Sequence, residues 1–228
     1  MTTPDRPEVL AFDVNETLSD MEPLALRLAD VGLEGHALPA WFASVLRDGF
    51  ALAVSGASAP FAAVAQEVLR GMLPATRPGR ALDDDVAHVM DGFAALSVHP
   101  DVATGLRGLA DDGYRVVTLS NGSASVAERL LEGAGVRDRV EAVLSVEDVG
   151  VWKPAAEAYL HAARSCGVPP ARVMMVAVHP WDTDGAARAG LRAAWIDRGG
   201  RGAYPGHFTP PEITADGIDH LAEALRAA

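Results

Sequence analysis

Val9-Leu10-Ala11-Phe12-Asp13-Val14-Asn15-Glu16-Thr17-Leu18 is the stretch on which the reading of this chain turns. Its first four residues are a short apolar run of the length and composition of a buried strand. The run stops at a carboxylate, and a polar turn carries the chain on to Thr17 and Leu18. In an open parallel sheet, ligands bind just beyond the carboxyl ends of the strands. Asp13 therefore stands where a reactive group is placed. A carboxylate there serves as a nucleophile, a metal ligand or a general base, and it serves equally well as a plain turn cap.

The same grammar returns from Pro100 onward. Val102–Ala110 reads as a helix, Tyr114–Leu119 as a β-branched strand ending at Ser120-Asn121-Gly122, Ser123–Ala134 as a helix and Val140–Leu144 as a short strand. Ala155–Cys166 is a helix, Val173–Val178 a strand, His179-Pro180-Trp181-Asp182 a loop, Gly185–Gly190 a short helix and Arg192–Ile196 a last strand. Gly199–Pro211 is Gly- and Pro-rich surface chain, and Ile218–Ala227 closes with a helix. Strands alternating with helices predict an α/β fold, a doubly wound parallel sheet covered on both faces.

Between these two parts the text is helical. Leu24, Leu26, Leu28 and Val31 recur among charges. Pro39 suits a first helical turn and is followed by Trp41, Phe42, Val45, Leu46 and Phe50. Pro60 leads into Phe61, Val64, Val68, Leu69 and Met72. Three acids from Asp83, favourable at a helix amino end, precede Val86, Val89, Met90 and Phe93. Residues 19–97 are therefore expected to form an inserted helical bundle, with 1–18 and 98–228 forming the sheet core. The alternative is one larger core with scattered helices.

The 228 residues suffice for such an arrangement, and a 49% hydrophobic composition supports a sizeable core. The formal charge of −12, from 19 basic and 31 acidic residues, weighs against nucleic-acid binding through a basic face. The single cysteine, Cys166, cannot close an internal disulfide, which points to a reducing compartment. Met1–Glu8 lacks the apolar core of a signal peptide, and no run approaches the ~20 apolar residues of a membrane helix. A cytoplasmic protein with no membrane or nucleic-acid partner is expected.

Three predicted strands end in polar residues and a fourth loop brings a lysine: Asp13 with Thr17, Ser120 with Asn121, Lys153 in Val151-Trp152-Lys153-Pro154, and Asp182 after Trp181. Singly, each is bland. Ser120-Asn121-Gly122 makes a good helix start, Lys153 reads as a surface lysine and Asp182 as a helix cap. Four such coincidences at the active edge of one sheet are much harder to dismiss.

The set resembles the haloacid dehalogenase superfamily over nearly the whole chain. Asp13-Val14-Asn15-Glu16-Thr17-Leu18 is similar to its first motif, Ser120-Asn121-Gly122 to the second, Lys153-Pro154 to the third and Trp181-Asp182 to the fourth. The resemblance implies a Rossmann-like core and a helical cap that closes over the site. Most of the superfamily is magnesium phosphatases with Asp-x-Asp in motif one and further carboxylates in motif four. Here Asn15 replaces the second Asp, and an amide cannot move a proton. Ala177-Val178 replaces a Gly-Asp pair, which leaves too few carboxylates for a well-held Mg²⁺.

The L-2-haloacid dehalogenase branch fits better. It uses no metal and no cofactor, and its motifs match Ser120-Asn121-Gly122, Lys153 with Tyr159 six residues on, and Trp181-Asp182. The resemblance implies that Asp13 attacks carbon 2 of a small carboxylic acid and displaces the substituent. Water positioned by Asp182 then hydrolyses the Asp13 ester. Lys153 keeps Asp13 ionised, Thr17 and Ser120 orient nucleophile and substrate, and Asn121 and Trp181 face the halide. Asn15, Phe42, Tyr159 and His179 complete the expected substrate contacts.

The departures are Asn15 for a Tyr, Glu16 for a Gly, Ala177 and His179 for a Ser and an Asn, and Phe42 where the cap ordinarily supplies an arginine. Arg47 is the nearest arginine in sequence. His179 has a bland reading of its own, as a loop histidine exposed to water. The alternatives to a halide are a strained-ring amine or a phosphate monoester as the group that leaves, or a binding protein without activity. Homodimerisation is a further expectation from the resemblance.

Overall fold

The computed structural model describes residues 6–74, 79, 81–200 and 202–227. Residues 1–5 of the expected core, 75–78 and 80 of the helical stretch, Arg201 and Ala228 lie outside them.

In chain order the elements are β1 (Val9–Phe12), α1 (Leu24–Asp30), α2 (Ala37–Val54), α3 (Phe61–Met72), α4 (Leu82–Ala94), α5 (Val102–Asp111), β2 (Arg115–Ser120), α6 (Ala124–Gly133), β3 (Ala142–Ser145), α7 (Ala156–Cys166), β4 (Val173–Ala177), α8 (Pro180–Arg188), β5 (Arg192–Ile196), β6 (Ile213–Ala215) and α9 (Ile218–Ala227). The strands form one parallel sheet in the order β3-β2-β1-β4-β5-β6. Alternation along β1 sorts its residues to two faces. Leu10 and Phe12 join a core with α5, α6 and α9, while Val9 and Ala11 join a second core with α7 and α8. Burial on both faces is why these strands read as continuous apolar runs.

Helices α1–α4 share a third core that includes Leu28, Trp41, Phe61, Leu69 and Val89, and it reaches Trp152 beside Lys153. The chain leaves the sheet at Leu18 and returns at His99 along paired passes. The Asp20 N–H donates to the Ser97 carbonyl at 2.8 Å, and the His99 N–H to that of Leu18 at 2.9 Å. By length and composition the 18-residue α2 is apolar enough to cross a membrane, contrary to the expectation that no run approaches the ~20 apolar residues of a membrane helix. Here its Trp41, Phe42, Val45 and Gly49 are buried, and a Cβ on Gly49 would lie 2.2 Å from the Trp152 ring.

Two sequence expectations are corrected. The stretch at Pro180-Trp181-Asp182 is the first turn of α8, because proline at the first helical position has its φ already set and gives up only an amide that the helix leaves unpaired. β6 was not anticipated. Its three residues are too few for periodicity to show, and its pairing with β5 is a tertiary contact.

Candidate active site

From β1 the chain runs to β2 and β3 on one side of the sheet, and from β4 to β5 and β6 on the other. β1 and β4 are neighbours, so the crevice where the winding reverses opens between their carboxyl ends, the place where such sheets bind ligands. Asp13 follows β1 and His179 follows β4.

Asp13 is 4% exposed, with both oxygens engaged. Oδ1 accepts from Lys153 Nζ at 2.9 Å and Oδ2 from the Thr17 hydroxyl at 2.7 Å. Thr17 Oγ1 in turn accepts from the Val178 N–H at 3.1 Å, which ties the turn after β1 to the end of β4. Lys153 is wholly buried; it is no surface lysine. Its ammonium also donates to Asp182 Oδ2 at 2.5 Å, and the Tyr159 hydroxyl donates to Asp182 Oδ1 at 2.7 Å. Burial disfavours the charge on Asp13, yet the Lys153 ammonium, His179 and Thr17 outweigh it and hold the carboxyl well below its usual range. Burial likewise disfavours the Lys153 cation, but Asp13 and Asp182 together raise its pKa. Burial dominates at Asp182 and raises it.

The approach of Lys153 is set by its backbone. Asn121 Oδ1 accepts from the Lys153 N–H at 2.9 Å, and Asn121 Nδ2 donates to the Lys153 carbonyl at 3.3 Å. Asn121, expected to face a halide, thus gives its amide oxygen and one of its two amide hydrogens to the Lys153 peptide. Tyr159, expected at the substrate, stands against Asp182. It is 0% exposed with its hydroxyl on Asp182, so it fixes that carboxylate from behind. Ser120 Oγ accepts from the Gly122 N–H at 2.9 Å. Ser120 and Asn15 border a cavity of about 200 Å³ whose other wall is Phe61, Gln66, Met90 and Phe93 from α3 and α4.

His179 is not an exposed loop histidine; its side chain is 12% exposed. Nε2 meets Glu16 Oε2 at 2.9 Å, and Nδ1 lies 3.4 Å from Asp13 Oδ2. Burial pulls the ring's pKa down, while Asp13 and Glu16 push it up, to about 9. Glu16, absent from the expected contacts, has φ 64°, the one positive φ outside glycine among the described residues. Its carbonyl accepts from His99 Nε2 at 3.1 Å, and its N–H donates to Ser19 Oγ at 3.3 Å. Such a conformation costs about 1–3 kcal/mol and persists where surrounding contacts impose it.

The helical side of the cleft is aromatic. Phe42 and Trp181 flank the His179 ring at centroid distances of 5.9 and 5.2 Å, and Phe50, which periodicity marked only as core, meets Trp181 at 4.9 Å. Arg47 does not enter the cleft; its side chain is 69% exposed and donates to Asp48. Among the described residues of α1–α4, the other arginines, Arg27 and Arg70, contact His88 and Asp83. No group of three or more His, Cys, Asp or Glu side chains among the described residues is arranged to hold a metal ion. The Lys153 ammonium lies between the two carboxylates that a cation would share.

Residues 7–190 match the family model of haloacid dehalogenase-like hydrolases. The (S)-2-haloacid dehalogenase 4A of Burkholderia cepacia is 28% identical over 218 residues, covering 94% of this chain and 90% of its own. Two solved structures are similar at 26% identity. An L-2-haloacid dehalogenase superimposes with a TM-score of 0.87 over 97% of this chain and all of its own. A dehalogenase with an intermediate complex superimposes with 0.86 over 97% and 98%.

Proposed function

The chain belongs to the haloacid dehalogenase-like hydrolases, and we propose that within them it is a metal-independent hydrolase of small 2-haloalkanoic acids, acting through an ester on Asp13. The observation that carries this reading is the state of Asp13. It is ionised although buried, its two oxygens are aimed by Lys153 and Thr17, and it sits at the winding reversal of the sheet. A carboxylate freed of water and held in one orientation is a competent nucleophile. Its oxygen attacks carbon 2, the carbon–halogen bond breaks and halide departs. Water then adds to the Asp13 carbonyl carbon, and collapse releases the 2-hydroxy acid.

Each side chain has a part in this proposal. Ser120 and Asn15 receive the substrate in the cavity beneath α3 and α4. Asp182, braced by Tyr159, fixes Lys153 and borders the place of the attacking water. Phe42 and Trp181 offer the halide ring edges of weak positive character. Helices α1–α4 act as the cap over the cleft. A cytoplasmic location and a homodimer belong to the same proposal; the single Cys166 supports the first and the family resemblance the second.

The test is one turnover of 2-chloropropionate in ¹⁸O water with enzyme in excess. The 2-hydroxy acid is expected unlabelled at its new oxygen, with label on Asp13; label in the product would mean direct attack by water. Asp13→Asn, nearly isosteric, is expected to fold normally and to lose at least about 10⁴-fold in kcat/KM.

A further inference from the structure

We propose that the site selects 2-halo acids whose carbon-2 substituent is bulky, neutral and apolar, a benzyl group or a butyl chain, and that this substituent lies in the cavity between Asn15 and Met90. The inference rests on the ester mechanism above and names the substrates it serves. The structure separates two places. The reacting carbon must meet Asp13, which Lys153 and Thr17 hold at the end of β1. The cavity of about 200 Å³ begins beside it, behind Val14, Asn15 and Ser120, and Asp13 is not on its wall. It is therefore room beyond the reacting carbon. An apolar cavity of about 150 Å³ holds a benzene ring, so this one offers far more space than the methyl group of 2-chloropropionate fills.

The walls say what that space accepts. Phe61 of α3 and Phe93 of α4 stack there at 5.3 Å and 18°. Met90 of α4 and Val126 of α6 add apolar surface, and a methionine adapts its shape to a ring. Among the described residues no basic side chain lines the cavity, and the exposed Asp91 puts a carboxylate on it. A substituent ending in a second carboxylate would give up water and find no cation. A neutral one gains by burial.

Asn15 decides that the space is open on the side of the nucleophile. It is 7% exposed, and its amide stands at the start of α6, where a Cβ on Gly122 would lie 3.7 Å from Nδ2 and 3.3 Å from Ser120 Oγ. Its short side chain stands where the motif it resembles carries a tyrosine, whose ring would project into the same space. Asn15 on one side and Met90 on the other thus set the length and width of the substituent.

Chloride release is measured with 2-chloropropionate, 2-chlorohexanoate, 2-chloro-3-phenylpropionate and 2-chloroadipate. One methylene in an apolar pocket changes kcat/KM by roughly 10–200-fold. The hexanoate and the phenylpropionate are therefore expected at least about tenfold above 2-chloropropionate, mainly through KM, and the doubly charged adipate at least about tenfold below the hexanoate. Met90→Trp fills the cavity from α4 and Asn15→Tyr fills it from the β1 turn. Each should lower the ratio of kcat/KM for 2-chloro-3-phenylpropionate to that for 2-chloropropionate at least about tenfold. The ratio is taken within one enzyme, so a loss of folded protein cancels. By calorimetry, Asp13→Asn should bind 3-phenyllactate at least about tenfold more tightly than lactate. A wild-type ratio of one or less, a ratio unmoved by either substitution, equal binding of the two hydroxy acids, or an adipate preferred to the hexanoate would each overturn the inference while leaving the ester mechanism intact. No chloride from any of the four acids would instead overturn the proposed function, and the inference with it.

Discussion

The strand ends and the helices α2 and α3 face each other across Asp13 and share almost no chemistry. On the strand side, Thr17, Asp13, Lys153, Asp182 and Tyr159 form one unbroken chain of hydrogen bonds, none more than 4% exposed. On the helical side stand Phe42, Phe50 and Phe61, and none of Arg27, Arg47 and Arg70, the described arginines of α1–α4, enters the cleft. The first wall carries charge and the second excludes water. They depend on each other, because charge interactions strengthen as water is displaced. They meet at Trp152, whose ring lies against Gly49 of α2 while the next residue is Lys153. His179 belongs to both walls, a cation by its carboxylates and an aromatic by its neighbours.

The contrast can be broken most severely at Lys153. Lys153→Met leaves two buried carboxylates without their shared cation, and a loss of about 3–5 kcal/mol in unfolding free energy is expected by denaturant titration, together with loss of turnover. A change below about 1 kcal/mol would mean that the strand-side network is not interdependent.

The pH dependence of stability probes the residue common to both walls. The His179 pKa is about 9 in the folded chain against 6.5 ordinarily. A raised pKa stabilises fully below the unfolded value, so this contribution is complete below pH about 6.5, declines between there and about 9, and is gone above. The gap corresponds to about 3 kcal/mol. Thermal or denaturant unfolding across that window should show the decline in the wild type, and His179→Gln should flatten it. An equal slope in both would assign the titration elsewhere.

Tyr159→Phe removes one donor from a buried carboxylate and is expected to cost about 1.5–3 kcal/mol of stability. Unaltered denaturation would show that Lys153 alone satisfies Asp182. The smallest effect belongs to the helical wall. Arg47→Ala should leave kcat/KM on 2-chloropropionate within about twofold, under ~0.4 kcal/mol. A larger loss would show that α2 delivers a cation to the cleft after all.

Local pattern made much of this molecule legible. A four-residue apolar run ending at Asp13, and polar residues at later strand ends, are properties of neighbouring residues, so β1, the alternating sheet and the positions of Asp13, Thr17, Ser120, Lys153 and Asp182 could be read from the text. The helical character of α1–α4 followed equally from the spacing of Trp41, Phe61, Val89 and their neighbours. What only the tertiary structure decided concerns partners far apart in the chain. Asn121 binds the Lys153 peptide, Tyr159 braces Asp182 and Glu16 grips His179 across 163 residues. No periodicity records such pairings, because a side chain's partner is set by how strands and loops are brought side by side. His179 is the clearest case. Its residue type and position left open a solvated loop histidine, and burial between two carboxylates made it a cation at the nucleophile. Protonation depends on local dielectric and nearby charge, and the folded chain alone supplies both.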